Sequence, residues 1–410
     1  MVILRNADYN RFLQEIGQKR IICFGAGGTL DTFLRTNAEK VWLFERIEAV
    51  LDNDPHKAGK IIHLCQKALR IENMNSFLLR CKDLRNFSVL LLLNDYILLD
   101  VIQQLDRFPQ FDGVICYYGL SAIIWGNEIN PPMPVDPILP KSSGHYEIPK
   151  VIHYCWFGPS PMGVIIEECI NSWKKYCPDY ELRFWNENNY DISSAPLYVR
   201  QAYEAGKYAF VSDYVRLNIV YKYGGFYLDT DVELFRSLND FISYKAVFAY
   251  LRNNMISTGL GFGSVSKNST IKEMMRVYER AMFLNHDGTQ NLTDCPRYNT
   301  DCLRQKGFQT SNVLSLIEDT LFLPSSYLCA LDLVECDNGI GLHLLYALTN
   351  STYGIHKCAS SWFTDELFSS FDSGKKRLVE INERLLNDWK RCLKGSDESY
   401  EKSRNSNPIL

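Results

Sequence analysis

The sequence predicts an α/β protein made of two domains, and three observations carry that expectation. Short apolar runs alternate with helical patterns through the first 125 residues, the mark of a parallel sheet with crossover helices. Residues 131–140 then hold five prolines, Pro131, Pro132, Pro134, Pro137 and Pro140, and proline fixes φ and removes a backbone donor, so this stretch reads as a stiff connector. Finally, 410 residues exceed what one ordinary core needs, at roughly 100–200 residues per domain.

In the first domain, residues 20–28 run from the apolar Ile21-Ile22-Cys23-Phe24 into Gly25-Ala26-Gly27-Gly28. This predicts a strand, a tight turn and a helix over 29–36. Ile47–Asp52 is a second strand that ends in Asn53-Asp54-Pro55, and Ser88–Leu93 and Gly113–Tyr118 are two more. Gly25, Gly27, Gly28 and Asp52 form a possible nucleotide turn, because a glycine turn after a strand and an acid about two dozen residues on is the Rossmann pattern. The pattern is truncated, since its third glycine would fall at Leu30. A scaffold whose glycines merely make a turn therefore stays open beside the nucleotide reading. This half resembles the small Rossmann-like modules found beside sugar-modifying enzymes in bacterial polysaccharide clusters, with Asp52-Asn-Asp-Pro-His-Lys-Ala-Gly59 as its second shared feature. The predicted organisation is a Rossmann-like domain over 1–125, a linker over 126–147, a second domain over 148–372, and a C-terminal helix and polar tail over 373–410.

In the second domain Ile148–Gly158 reads as a strand ending in an aromatic and a glycine, Glu167–Tyr176 as a helix, and Tyr180–Trp185 as a strand. Leu197–Tyr223 reads as one long helical stretch that Gly224-Gly225 terminates, and Phe226–Val232 as a strand running into an acidic turn. Eleven of the 24 tyrosines and three of the seven tryptophans lie within 151–230, a density that suits a cleft for flat or sugar-like ligands. Asp229 and Asp231 are two apart, and residues i and i+2 of an extended strand face the same way. Two such carboxylates can share one hard divalent cation, Mn²⁺ or Mg²⁺, and leave positions open for phosphate oxygens. Asp52-Asn53-Asp54 repeats the pattern in a different context, a loop after a Rossmann strand. Asp213 and Arg216, three apart on one helix face, sit in an otherwise apolar and aromatic helix, where charges are costly unless paired or functional.

Four blocks together carry a resemblance: Ile148-Pro-Lys-Val-Ile-His-Tyr-Cys-Trp-Phe-Gly158; Ser172-Trp-Lys-Lys-Tyr-Cys-Pro-Asp-Tyr180; Lys207–Arg216 with Tyr223–Asp231; and Thr352-Tyr-Gly-Ile-His356 through Trp362. They are similar to the DXD sugar-binding glycosyltransferases of family thirty-two, which include capsular polysaccharide synthesis proteins and initiating mannosyltransferases. More distantly, they resemble the glucosyltransferase domain of large clostridial toxins. The resemblance implies a GT-A type catalytic domain following the Rossmann-like parallel-sheet module. It implies a metal-dependent transferase that retains anomeric configuration and takes its sugar from a UDP- or GDP-linked donor. The acceptor would be a hydroxyl of a glycan or lipid-linked oligosaccharide, in capsular or other surface polysaccharide synthesis.

By the same resemblance Trp156 stacks the donor base, Ser212, Asp213 and Arg216 hold sugar and ribose, and Tyr227 faces the same cleft. Asp229, Asp231 and His356 form the metal set, and Ser360, Ser361 and Trp362 lie near the diphosphate. Lys357 stands where relatives often have a second histidine or an aromatic, and is free to contact phosphate instead. Asn253, Asn254 and Gly259–Gly263 would face the sugars, and Cys295–Asp301 would wall the acceptor. A toxin-like transferase acting on protein side chains and a non-catalytic sugar-nucleotide-binding module are the alternatives.

A net charge of −4 offers no footprint for nucleic acid. Thirteen cysteines with no CxxC pair fit buried free thiols better than a disulfide framework or a zinc ribbon. With no signal peptide and no apolar run near the ~18 residues of a membrane span, the expected location is the cytoplasm, with room for peripheral contact at the inner membrane face. Leu378, Ile381, Leu385, Leu386 and Trp389 predict an amphipathic helix, expected to pack on the catalytic domain.

Overall fold

The computed structural model describes residues 1–6, 9–64, 67–93, 95–118, 138–251, 254–329, 331–334, 343–346, 348–357 and 380–392. Most of the proline-rich stretch, and Ser360, Ser361 and Trp362, lie outside the described residues. The chain forms two compact units. One comprises Met1–Met133, Asp332–Leu348 and Phe371–Leu410, the other Pro134–Leu331 and Thr349–Ser370.

In the first unit the strands are β1 (Ile3–Asn6), β2 (Arg20–Phe24), β3 (Ile47–Leu51), β4 (Ile61–Leu64), β5 (Lys67–Glu72), β6 (Phe87–Leu91) and β7 (Ile115–Tyr118). They form one sheet in the order β1-β7-β6-β2-β3-β5-β4. Every neighbouring pair is parallel except the β4–β5 hairpin. The central strands β2, β3, β6 and β7 are mostly apolar on both faces because both are covered. Ile22, Phe24, Val89 and Leu91 pack on one side with Phe77, Leu98 and Ile102; Ile21, Cys23, Val50 and Leu90 pack on the other with Phe12, Leu30, Phe33 and Phe44. The sequence pattern reveals β2, β3, β6 and β7, but not the short edge strands β1 and β4 or the polar β5.

The C-terminal helix, 380–392, belongs to this unit and not to the catalytic domain. Ile381 and Leu385 are buried in the same core cluster as Leu4, Val89 and Cys116. The fully buried Asp388 accepts from the Leu4 amide at 2.8 Å and from Arg384 Nε at 2.8 Å, and it also meets Arg391. Arg384 reaches Asp106 at 3.0 Å. The apolar stripe was legible in the sequence, but not the surface it covers.

The second unit contains β8 (Val151–Cys155), β9 (Glu181–Trp185), β10 (Gly225–Tyr227), β11 (Val232–Leu234), β12 (Ala246–Ala249), β13 (Phe262–Ser264), β14 (Ser315–Ile317) and β15 (Thr320–Leu323). Its main sheet is mixed, in the order β14-β15-β12-β13-β10-β8-β9. β18 (Gly354–His356) pairs antiparallel with β11, while the two-stranded sheet of β16 (Leu331–Val334) and β17 (His343–Tyr346) falls, from Asp332 on, in the first unit. The architecture is thus a Rossmann-like parallel-sheet module followed by a mixed-sheet α/β domain.

Two expectations about this unit need correction. The predicted helix over 197–223 is two helices, Leu197–Glu204 and Tyr208–Tyr223. They break at Gly206, whose φ of +68° is left-handed backbone that ends a helix. The predicted strand over 226–232 is also two, with β10 ending at Tyr227 and β11 starting at Val232.

Candidate active site

The site sits at the C-terminal edges of the parallel neighbours β8 and β10, where Tyr227 lies opposite His153. The Leu228 amide donates to the His153 carbonyl at 3.1 Å, so the chain leaving β10 follows the end of β8. There it turns, as the Val232 amide donates to the Asp229 carbonyl at 3.0 Å. Asp229 and Asp231 therefore converge across a turn and not, as strand alternation predicts, along one extended segment.

Pairing of β11 with β18 sets Val232 opposite His356, and the Lys357 amide donates to the Asp231 carbonyl at 2.9 Å. This register delivers a histidine from far down the chain to the acidic turn. His356 Nε2 lies 3.2 Å from Asp231 Oδ1 and 3.9 Å from Asp229 Oδ2. One ligand atom from each of the three residues lies within 4.8 Å of the others, so together they can hold a metal ion. The helix Val164–Tyr176 fixes β11 from outside. Its Trp173 indole N–H donates to the Val232 carbonyl at 2.7 Å, and its Ser172 hydroxyl accepts from the Leu234 amide at 2.8 Å.

Arg216, buried on the helix Tyr208–Tyr223, organises the other side. Its Nη2 lies 3.0 Å from Asp213 Oδ1 and 3.4 Å from Asp229 Oδ1. Its Nε donates to the Ser212 carbonyl at 3.0 Å, and the guanidinium stands 5.1 Å from the centre of the Tyr227 ring. The fully buried Tyr227 donates its hydroxyl to Asp229 Oδ1 at 2.8 Å. Burial pushes the Asp213 carboxyl up to about 6, against the pull of Arg216. Burial acts on Asp229 in the same direction, but Arg216, His356 and the Tyr227 hydroxyl outweigh it and hold that carboxyl below its ordinary range. The two carboxylates flanking one guanidinium are therefore biased in opposite directions.

Gly259 closes the floor. Its carbonyl accepts from the Asp229 amide at 3.3 Å, and a Cβ there would lie 2.6 Å from Asp229 Oδ2 and 2.9 Å from Arg216 Nη1. Any larger residue would push the acidic turn and the arginine apart. Behind it lies the Cys295 thiol, 3.8 Å from Arg216 Nη1 and 4.0 Å from the hydroxyls of Ser257 and Thr258. Sequence reasoning reaches this stretch only as a wall for the acceptor; a thiol touching the arginine carries no local pattern.

The remaining expected residues fall as follows. Trp156 follows β8 directly, half-buried, its indole N–H donating to the Ser160 carbonyl at 2.6 Å. The Ser212 hydroxyl donates back to the Tyr208 carbonyl at 3.2 Å. Lys357 is paired with Glu233 at 3.2 Å and Glu168 at 3.6 Å. In the first unit, the Asp52 carboxylate accepts from the amides of Ala26 at 2.7 Å and Asp54 at 2.8 Å, and from Lys57 at 2.9 Å. A Cβ on Gly25 would lie 2.4 Å from the Leu92 carbonyl oxygen, whereas one on Gly27 or Gly28 would meet nothing. The glycine turn and its acid hold each other.

Residues 164–248 match the family model described as the glycosyltransferase sugar-binding region containing the DXD motif. They hold Ser212, Asp213, Arg216, Tyr227, Asp229 and Asp231, and in this region the chain is similar to that family. Among curated proteins, inositol phosphoceramide mannosyltransferase 3 of Schizosaccharomyces pombe is 35% identical over 107 residues, 24% of this chain. The chain spans 28% of the length of that relative. Among solved structures, the PaToxG glycosyltransferase aligns at 18% identity over 39% of this chain and 70% of its own, with a TM-score of 0.31. That likeness is too loose to carry an argument about the fold.

Proposed function

We propose that the protein is a metal-dependent, retaining glycosyltransferase that moves a sugar from a nucleoside diphosphate donor to a hydroxyl of a glycan acceptor in surface polysaccharide synthesis. The observation that carries the reading is the convergence of Asp229, Asp231 and His356 beside the buried Asp213–Arg216 pair. Two carboxylates and an imidazole make a mixed oxygen and nitrogen set, which suits Mn²⁺ better than the all-oxygen preference of Mg²⁺. When bound, the ion supplies positive charge against the diphosphate as the glycosidic bond breaks.

The chain's own groups do the rest. Arg216, fixed by Ser212, Asp213, Asp229 and the Cys295 thiol, is held ready beside Asp213 for the donor sugar without reorganising. Asp213 presents a carboxylate to the hydroxyls of the donor sugar. The Tyr227 hydroxyl is committed to Asp229 and keeps that carboxylate aimed across the turn. Trp156, at the mouth of the β8 edge, offers an indole face to the base, a contact worth ~1–3 kcal/mol and tolerant of base identity. No side chain of the site is assigned as a covalent nucleophile, so retention points to front-face displacement, with the departing phosphate taking the acceptor proton. Among the described residues no helix is long and apolar enough to cross a membrane, and the acceptor would be met at the surface of the domain.

A donor-hydrolysis screen across UDP- and GDP-sugars with Mn²⁺ tests the reading. Release of nucleoside diphosphate from one donor, abolished by Asp229→Ala and by chelation, is the expected result. Equal turnover in the wild type and Asp229→Ala would refute it.

A further inference from the structure

The helix Cys295–Gln305 meets the site through its first residue. Asp294 caps the helix by accepting from the Arg297 amide at 3.0 Å, which points the Cys295 side chain inward. The buried thiol is in reach of Arg216 Nη1 and of the hydroxyls of Ser257 and Thr258. Burial pushes the thiol up to about 12, so it stays protonated and is no nucleophile. One turn on along the same face, Asn299 donates to the Thr258 hydroxyl at 3.0 Å, while its own buried Oδ1 has no hydrogen-bond partner among the described residues. Thr300 accepts from the Ile256 amide at 2.9 Å. The helix is thus stitched to the loop 256–259, whose Gly259 supports Asp229 and leaves no room at Arg216.

Count the donors of the guanidinium. Nε is taken by Ser212 and Nη2 by Asp213 and Asp229, and Nη1 on the far side of the fork faces the thiol. Sulfur accepts weakly. The thiol thereby backs Arg216 on the side away from its carboxylates, and through Arg216 it bears on Asp213.

We propose that Cys295 is a positioning residue for the donor sugar, holding Arg216, and through it the paired Asp213, where that sugar requires them. This rests on the reading that the pair binds the donor sugar. Its consequence is selective. Loss of the thiol should weaken binding of an intact nucleotide sugar and leave the matching nucleoside diphosphate, held by the metal set and Trp156, almost untouched.

Calorimetric titration in Mn²⁺ of the wild type, Cys295→Ala and Cys295→Ser with UDP-glucose, UDP, GDP-mannose and GDP tests this. In the pair that the wild type binds, Cys295→Ala should weaken the nucleotide sugar by about 3- to 10-fold, within the range for one ordinary net hydrogen bond, as suits a weak sulfur acceptor. The same variant should shift the diphosphate by less than about 2-fold, and Cys295→Ser should restore sugar binding. Equal weakening of sugar and diphosphate, or none of either, overturns the proposal. Failure of the wild type to bind any of the four overturns the functional reading itself, and this proposal with it.

Discussion

The molecule contains the Asp-x-Asp spacing twice, each just after a strand that pairs parallel with a neighbour, and the two copies do different things. At Asp52-Asn53-Asp54 the first carboxylate faces inward on its own loop. It accepts from two backbone amides and Lys57, and so staples the β3 loop to the glycine turn after β2. At Asp229-Thr230-Asp231 the backbone closes its own turn, and both carboxylates are left for side chains from elsewhere: Arg216, Tyr227 and His356. The difference lies in who satisfies the backbone. Where the carboxylate itself bonds the loop amides, as Asp52 does, it is structural; where the Val232 amide bonds the Asp229 carbonyl, the Asp229 carboxylate meets Arg216, Tyr227 and His356 instead.

The largest effect that would sharpen this contrast is on turnover. Asp231→Ala should lower Mn²⁺-dependent donor hydrolysis by ~100-fold or more, whereas Asp54→Ala should leave it within about 2-fold of wild type, both read by nucleoside diphosphate release. Equal losses would erase the distinction. Arg216→Met comes next. It leaves the buried Asp213 without its cation, a loss of about 3–5 kcal/mol in the second unit by chemical denaturation; an unchanged midpoint would mean the pair is not what holds the site.

Asp52→Asn should cost about 1–3 kcal/mol in the first unit, with donor binding unaffected. Its pH signature has a definite sign. Burial raises the Asp52 carboxyl, but the amides of Asp54 and Ala26 and the Lys57 ammonium prevail and depress it below its unfolded value. The stability it contributes is therefore complete above about pH 4 and lost as pH falls through the lowered folded value. Thermal melts of the wild type should drop over that acid window more steeply than those of Asp52→Asn; parallel curves would contradict the staple. Smallest is Lys57→Met. It removes a partly exposed ion pair at 2.9 Å and should cost no more than about 1 kcal/mol, visible only as a small melting shift.

How much of this could be read from the sequence follows from the range of the interactions. The central strands β2, β3, β6 and β7 announce themselves because a parallel strand buried on both faces is a continuous apolar run. Asp213, Arg216, Asp229 and Asp231 sit close enough in sequence to form a pattern, and His356 is legible only through the block around it. Cys295 and Gly259 enter the sequence reading only as ends of stretches expected near the sugars; their contacts with Arg216 and Asp229 are not legible, because no spacing encodes them. The C-terminal helix shows the same limit: Ile381 and Leu385 mark an apolar face, and only the fold reveals that β1, β6 and β7 lie against it. The acidic turn is the subtlest case. Its residues were found on the argument of strand alternation, yet a hydrogen bond between Val232 and Asp229 folds them together instead.

The most direct measurement is a Mn²⁺ titration followed by electron paramagnetic resonance on three proteins: the wild type, Asp229→Ala/Asp231→Ala, and Asp52→Ala/Asp54→Ala. The account predicts that the wild type and the first-unit variant bind the ion alike and that the variant of the second unit does not. Binding lost in the first-unit variant, or retained without Asp229 and Asp231, would contradict it.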